Sequence, residues 1–270
     1  MANFTGATTD LTKRIKTHFF LICPNNSGST FLIRAIAASR HFWHLKREGQ
    51  NSFGYVGPQT LGSDFPLIWG AKQEWIDLFQ NPDGYNWPRT TQAWYFQAQS
   101  SNEDAAIFTT KSPPFLLITD QLAQNFENPK FAFMVRDPYA TIEGICRRRS
   151  KNHPNRTVAL EIASRHMVTC FQYQKRNIEN HAHMSVQFSY EEMCADPAAC
   201  EAKLTKLLPM VDDLNLNQKI SVKGMYDEPL RNMNEQQIER LSADDFRIIN
   251  QTLGQHAKLI ESFGYALRDQ

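Results

Sequence analysis

The stretch Phe19-Phe20-Leu21-Ile22-Cys23-Pro24-Asn25-Asn26-Ser27-Gly28-Ser29-Thr30-Phe31-Leu32 constrains this chain more than any other. Its short apolar start reads as a buried strand, and the apolar residues from Phe31 through Ala38 recur at helical spacing. Between them lies a small, polar turn. A strand, a tight small-residue loop and a helix start together make an anion site. The first backbone N–H groups of a helix lack intrahelical partners, and its dipole adds positive potential there. Ser27, Ser29 and Thr30 add hydroxyl donors, and Gly28 admits close approach to the backbone. The Walker A pattern is not met: Ser29, not Lys, follows Gly28, and the earlier Gly is missing. Alone, the stretch fits equally a plain strand-to-helix turn capped by Ser27.

A second region favours the anion site. Phe131 to Val135 is a continuous apolar run of the kind shown by buried parallel strands. Arg136 ends it, Asp137 suits a helix N-cap and Pro138 the first helical position. Arg136 is thereby placed at the carboxyl end of a strand, where open α/β sheets bind ligands. A guanidinium there can grip a phosphate with two N–H groups.

Ser27-Gly28-Ser29-Thr30, Lys111-Ser112-Pro113 and Val135-Arg136-Asp137-Pro138, in that order and at those separations, resemble the signature of the sulfotransferases. These enzymes use 3′-phosphoadenosine 5′-phosphosulfate (PAPS). Phe188-Ser189-Tyr190-Glu191-Glu192-Met193, with Asp196-Pro197 following, is similar to the family's Tyr-Glu-Asp strand end. The run from Leu241 to Tyr265 resembles its last helix, and only residues 41–105 fall outside the resemblance. The resemblance implies an α/β fold, a single P-loop-like domain with a central parallel sheet flanked by helices. It implies a donor site of Asn26, Ser27, Gly28, Ser29 and Thr30, with Phe31 near the adenine and Arg136 on the 3′-phosphate. Tyr190 is expected near the base, with Lys223 and Gly224 folding over the 3′-phosphate. The chain departs from the family twice. Asn26 stands where members usually carry Lys or Arg, and Gly144 where they carry Ser. Asn26 can donate a hydrogen bond but brings no charge, and Gly144 offers only its backbone.

Sulfuryl transfer from PAPS releases a phosphate dianion, the product PAP. It needs a cation or donor at the bridging oxygen and a base for the acceptor proton. Lys111 is the best cation. By resemblance it takes the place of the base His of steroid- and phenol-acting members, and glycan-acting members show Lys-Thr/Ser-Pro there. A charged Lys is a poor base, so the resemblance points to Glu48, which sits about where those members present a Glu after the first helix. Glu48 reads equally as a solvated loop carboxylate. His41 and His44 are lesser candidates. No metal is expected.

A chain of 270 residues can bury a full core and is expected to form one domain, 1–270, with a polar lead at 1–16. The formal net charge of +1 does not indicate a nucleic-acid surface. Positive charge clusters at Arg147-Arg148-Arg149, which suits a helix C-terminus, with one arginine free to turn inward. The five cysteines are scattered and without Cys-x-x-Cys, as in reduced cytoplasmic proteins, and no apolar stretch is long enough to span a membrane. Helices are expected over about Thr157 to Asn180 and from a Ser242 cap onward, with a strand over Ser185 to Ser189. Residues 41–105, rich in Gly and Pro, read as irregular, and all five tryptophans fall there. They suit either a local core or an acceptor pocket over the sheet edge. The expected activity is a PAPS-dependent sulfotransferase acting on a hydroxyl or amine of a small molecule or glycan. A P-loop small-molecule kinase and a degenerate nucleotide-binding protein without activity remain as alternatives.

Overall fold

Apolar runs become the strands of one mixed sheet in the computed structural model, which describes residues 3–60, 67–149, 155–222, 226–228 and 230–269. The strands are β1 (Phe4–Thr5), β2 (Thr17–Ile22), β3 (Phe42–His44), β4 (Gln99–Ser100), β5 (Ile107–Lys111), β6 (Pro129–Val135) and β7 (Ser185–Ser189), ordered β1-β4-β3-β5-β2-β6-β7. β3, β5, β2, β6 and β7 run parallel, and β4 runs antiparallel to both of its neighbours. β2 is central, with Leu21 opposite Lys111 on one side and Ile22 opposite Phe133 on the other. The loops that follow β2, β5 and β6 therefore lie side by side at the carboxyl edge.

Alternation along β2 fills both faces. Phe20 and Ile22 join a core with Trp94, Phe108 and Phe131, whereas Phe19 and Leu21 join one with Leu32, Ile36 and Met134. The helices are α1 (Leu11–Arg14), α2 (Ser29–Ala38), α3 (Gln73–Gln80), α4 (Trp87–Gln97), α5 (Thr119–Asn125), α6 (Pro138–Arg149), α7 (Arg156–Asn180), α8 (Tyr190–Ala195), α9 (Pro197–Leu207), α10 (Asn234–Ile238), α11 (Ala243–Leu253) and α12 (Ala257–Glu261). β8 (Ile220–Val222) pairs antiparallel with β9 (Tyr226–Glu228) in a separate small sheet.

The long helix predicted to start near Thr157 is α7, capped by Asn155. Ser242 and Asp245 form the capping box of α11. That last helix is broken, however: α11 stops at Leu253, and a turn precedes α12. The described residues of the polar lead include β1 and α1, with Leu11 and Ile15 buried. Residues 41–105 are not irregular throughout, for they supply β3, β4, α3 and α4. Their tryptophans serve the core: Trp43, Trp69 and Trp94 are fully buried, and Trp87 nearly so. Rings of that size exclude enough water to hold a segment with few long elements.

Candidate active site

The loop after β2 is shaped by two left-handed residues, Asn26 at φ 59° and Gly28 at φ 81°. Asn tolerates that region better than most residues, and Gly enters it freely. Gly28 also lies against Tyr190, where an added Cβ would come within 2.5 Å of the ring. Ser27 is buried and donates its hydroxyl to the Pro24 carbonyl at 2.8 Å, which ties the turn to itself. α2 then starts at Ser29, so its first N–H groups face the loop. From behind, the Trp69 indole N–H donates to Asn25 Oδ1 at 2.9 Å. Trp69 meets the buried His166 ring edge-on at 4.7 Å, and the Gly70 N–H donates to His166 Nδ1 at 3.1 Å. Burial, helped by the charge of Arg149, lowers His166 from 6.5 to about 3, so this imidazole is a neutral acceptor.

Arg136 leaves the end of β6 and is buried. Its Nη1 donates to the Asn26 carbonyl and its Nε to Asn234 Oδ1, both at 2.8 Å, and its guanidinium carbon lies 4.2 Å from the centre of the Tyr190 ring. Burial lowers its pKa, while Tyr190, Glu191 and Asp137 oppose that. Asp137 caps α6 by accepting from the Tyr139 and Ala140 N–H groups. Glu191 gathers the neighbours, accepting from the Asp137 N–H, Asn234 Nδ2 and the Tyr265 hydroxyl. Tyr190 is fixed by donating to the Arg231 carbonyl and accepting from the Met233 N–H. Two N–H groups at this junction, Arg136 Nη2 and Asn26 Nδ2, are buried without a hydrogen-bond partner among the described residues. Gly144 faces Asn26: a Cβ there would lie 3.5 Å from Asn26 Cγ and Nδ2, an ordinary contact.

Lys111 ends β5, and Glu48 stands in the loop after β3. The fold joins them: Lys111 Nζ lies 2.8 Å from Glu48 Oε1. Lys111 is 9 % exposed, while about a third of the Glu48 side chain (33 %) is open. Their backbones are pinned as well. The Trp94 indole N–H donates to the Gly49 carbonyl, and the Gln50 N–H donates to Ser112 Oγ, both at 3.0 Å. The charge of Glu48 is also felt at Arg148. Partial burial and Arg147 lower its pKa, and the charge of Glu48 opposes them. Beside Glu48 opens a cavity of about 460 Å³ that runs from Thr30 past Lys111.

The structure thus gathers Asn26, Ser27, Gly28, Ser29, Thr30, Arg136, Gly144 and Tyr190 around one junction and brings Lys111 and Glu48 together beside it. Phe31 is buried in the core beneath α2. Lys223 and Gly224 lie outside the described residues. His44 lines the cavity. His41 precedes β3 at the opposite edge of the sheet, with Nε2 2.8 Å from Asp212 Oδ1. His41, Asp212 and Asp213 are close enough to surround a cation, but Arg40 already binds Asp212 through two contacts at 2.7 Å. Arg149 is the arginine of its cluster that turns inward. Asn234 and the contact of Trp69 with the loop were not singled out for the site by sequence, whereas Arg148 belongs to the arginine cluster that the sequence marks. A tryptophan four residues before α3, and an asparagine that opens the short α10, carry no local mark of such a role.

A model of the family described as Sulfotransferase family matches residues 19–210. No curated protein matches the sequence. Among solved structures, the sulfotransferase from Alicyclobacillus acidocaldarius is similar at 12 % identity and a TM-score of 0.54, over 94 % of this chain and 97 % of that one. The sulfotransferase domain from the Synechococcus PCC 7002 olefin synthase is similar at 18 % identity and 0.53, over 94 % and 97 %. The sulfotransferase domain from the curacin biosynthetic pathway is similar at 16 % and 0.53, over 94 % and 100 %. At such identities the likeness speaks for the fold.

Proposed function

The chain belongs to the sulfotransferase family, and on that footing we propose that it transfers a sulfuryl group from PAPS to a hydroxyl or amine of a small molecule or glycan. The observation that carries the donor assignment is the pair of buried, unpartnered N–H groups on Arg136 and Asn26 beside the start of α2. Leaving such a group unpaired costs roughly 1–3 kcal/mol. A phosphate oxygen between them would offset that cost, with the helix start adding its own donors. Arg136 is assigned to the 3′-phosphate, Tyr190 stacks beneath its guanidinium, and Asn26 donates without charge where relatives use a cation.

Lys111 and Glu48 divide the chemistry. The acceptor oxygen or nitrogen forms a bond to sulfur while the bond from sulfur to the bridging phosphate oxygen breaks. The acceptor proton goes to Glu48, and PAP leaves with the electron pair. Lys111 Nζ stabilises the charge that grows on the bridging oxygen. Their 2.8 Å contact holds both groups in place before the acceptor arrives.

Calorimetry with PAP, ATP and GTP tests the donor assignment: PAP is expected to bind far more tightly than either triphosphate. Tight ATP binding without PAP binding would move the chain to the kinases. Incubation with labelled PAPS and a panel of alcohols, phenols, amines and sugars then tests the transfer.

A further inference from the structure

The cavity beside Glu48 lies between α2 and the loop after β3, and cations converge on it. Arg34 comes from α2, Lys46 and Arg47 from the loop, and Lys111 from the end of β5. Glu48 is the one carboxylate in its lining, and Lys111 already holds it. Lys46 and Arg47 are exposed and make no ion pair among the described residues. His44 Nδ1, in the same wall, is buried without a hydrogen-bond partner. Burial, and after it the charge of Lys46, lower that imidazole.

Thr30 and Lys111 join this cavity to the donor loop and the bridging oxygen, whereas Lys46 and Arg47 are set apart from the 3′-phosphate partners by the strand order. Arg136, Gly144 and Tyr190 follow β6 and β7 on one side of β2, whereas the cavity lies over β5 and β3 on the other. The 3′-phosphate has its assigned partner, Arg136, on the first side. A volume of about 460 Å³ suits a sugar or a small acid rather than a protein surface. A concave wall of one sign concentrates ligands of the other.

We propose that this cavity binds an oxyanion group of the acceptor, so that the sulfated hydroxyl or amine belongs to a molecule with a carboxylate or sulfate of its own. Lys46 and Arg47 hold that group while Glu48 faces the nucleophile. The inference rests on the sulfotransferase reading but is tested without turnover. Saturation-transfer NMR measures binding of glucuronate against its methyl ester, and of a sulfated disaccharide against its desulfated counterpart. Each is run with and without PAP, on the native chain and on a Lys46→Gln/Arg47→Gln variant. The two pairs separate carboxylate from sulfate.

The charged member of at least one pair is expected to bind about ten-fold or more tightly than its neutral twin. The double variant is expected to erase that preference while keeping PAP affinity by calorimetry. Equal binding of charged and neutral members overturns the proposal. So does a parallel loss of PAP affinity in the variant, which would give these cations to the donor. Failure of the native chain to bind PAP would instead remove the donor assignment, and the preference read without PAP would still decide the cavity. Both residues are exposed, so the fold should survive, and the single variants serve if the double one does not.

Discussion

Single residues in this site act through shared atoms. Arg136 both presents its free Nη2 and clasps the Asn26 carbonyl and Asn234. Arg136→Ala should weaken PAP binding by about 1.5–3 kcal/mol, roughly ten- to a hundred-fold, with the fold intact by circular dichroism. Unchanged affinity in a folded variant would take Arg136 out of the site. Glu48→Gln keeps size and removes the base, so kcat should fall about 10²–10⁴-fold with PAP affinity unaltered. Lys111→Ala should lower kcat strongly and PAP affinity modestly. Because the two side chains touch, the double variant should lose less than the sum of both, which a double-mutant cycle reads directly. Full activity of Glu48→Gln at every pH would shift the base to His44, which shares the cavity, and not to the distant His41.

Elements position these groups, and the loop carrying Glu48 is a tight case. A Cβ on Gly49 would lie 2.9 Å from the Trp94 ring, 3.0 Å from Thr110 Oγ1 and 3.1 Å from Phe115. Gly49→Ala should therefore push the loop off α4, costing about 1–3 kcal/mol and lowering kcat as Glu48 moves from Lys111. Thermal unfolding and steady-state kinetics check both, and native kinetics in a stable variant would refute the positioning argument. Elements differed in how far sequence betrayed them. β2, β6 and α7 are long, apolar or periodic enough to declare themselves. β3 is only three residues (Phe42–His44), too short to show alternation. In α4, Asn86-Trp87-Pro88 reads as a turn, although the Asn86 cap and the Pro in the first helical turn are signs of a helix start. The motif residues that meet at Arg136 could be listed from sequence, but Asn234 could not. Its partners Arg136 and Glu191 are remote in the chain, and only folding brings them together.

At the scale of the whole molecule, acidity should act through His166, which is buried behind the phosphate loop. Its folded pKa, about 3, is depressed from 6.5, so the unfolded chain binds the extra proton first. Stability from this group is present above pH 6.5 and is lost progressively as pH falls through that value toward about 3. Between pH 7 and pH 5 the loss is about 2 kcal/mol. His166→Asn keeps an acceptor for the Gly70 N–H and removes the titration, so its unfolding free energy should fall less by about that amount over the same interval. Parallel curves for the two proteins would show that His166 does not titrate as argued. The order of the sheet also governs how the chain is made. β2 emerges early from the ribosome, yet its two partners end only at Lys111 and Val135. Before Lys111 both edges of this fully buried-type strand are unmatched, and from there to Val135 one still is, a template for pairing with other nascent chains. Chains cut before Pro129 should collect in the insoluble fraction, and slower elongation past that point should raise the yield of soluble protein.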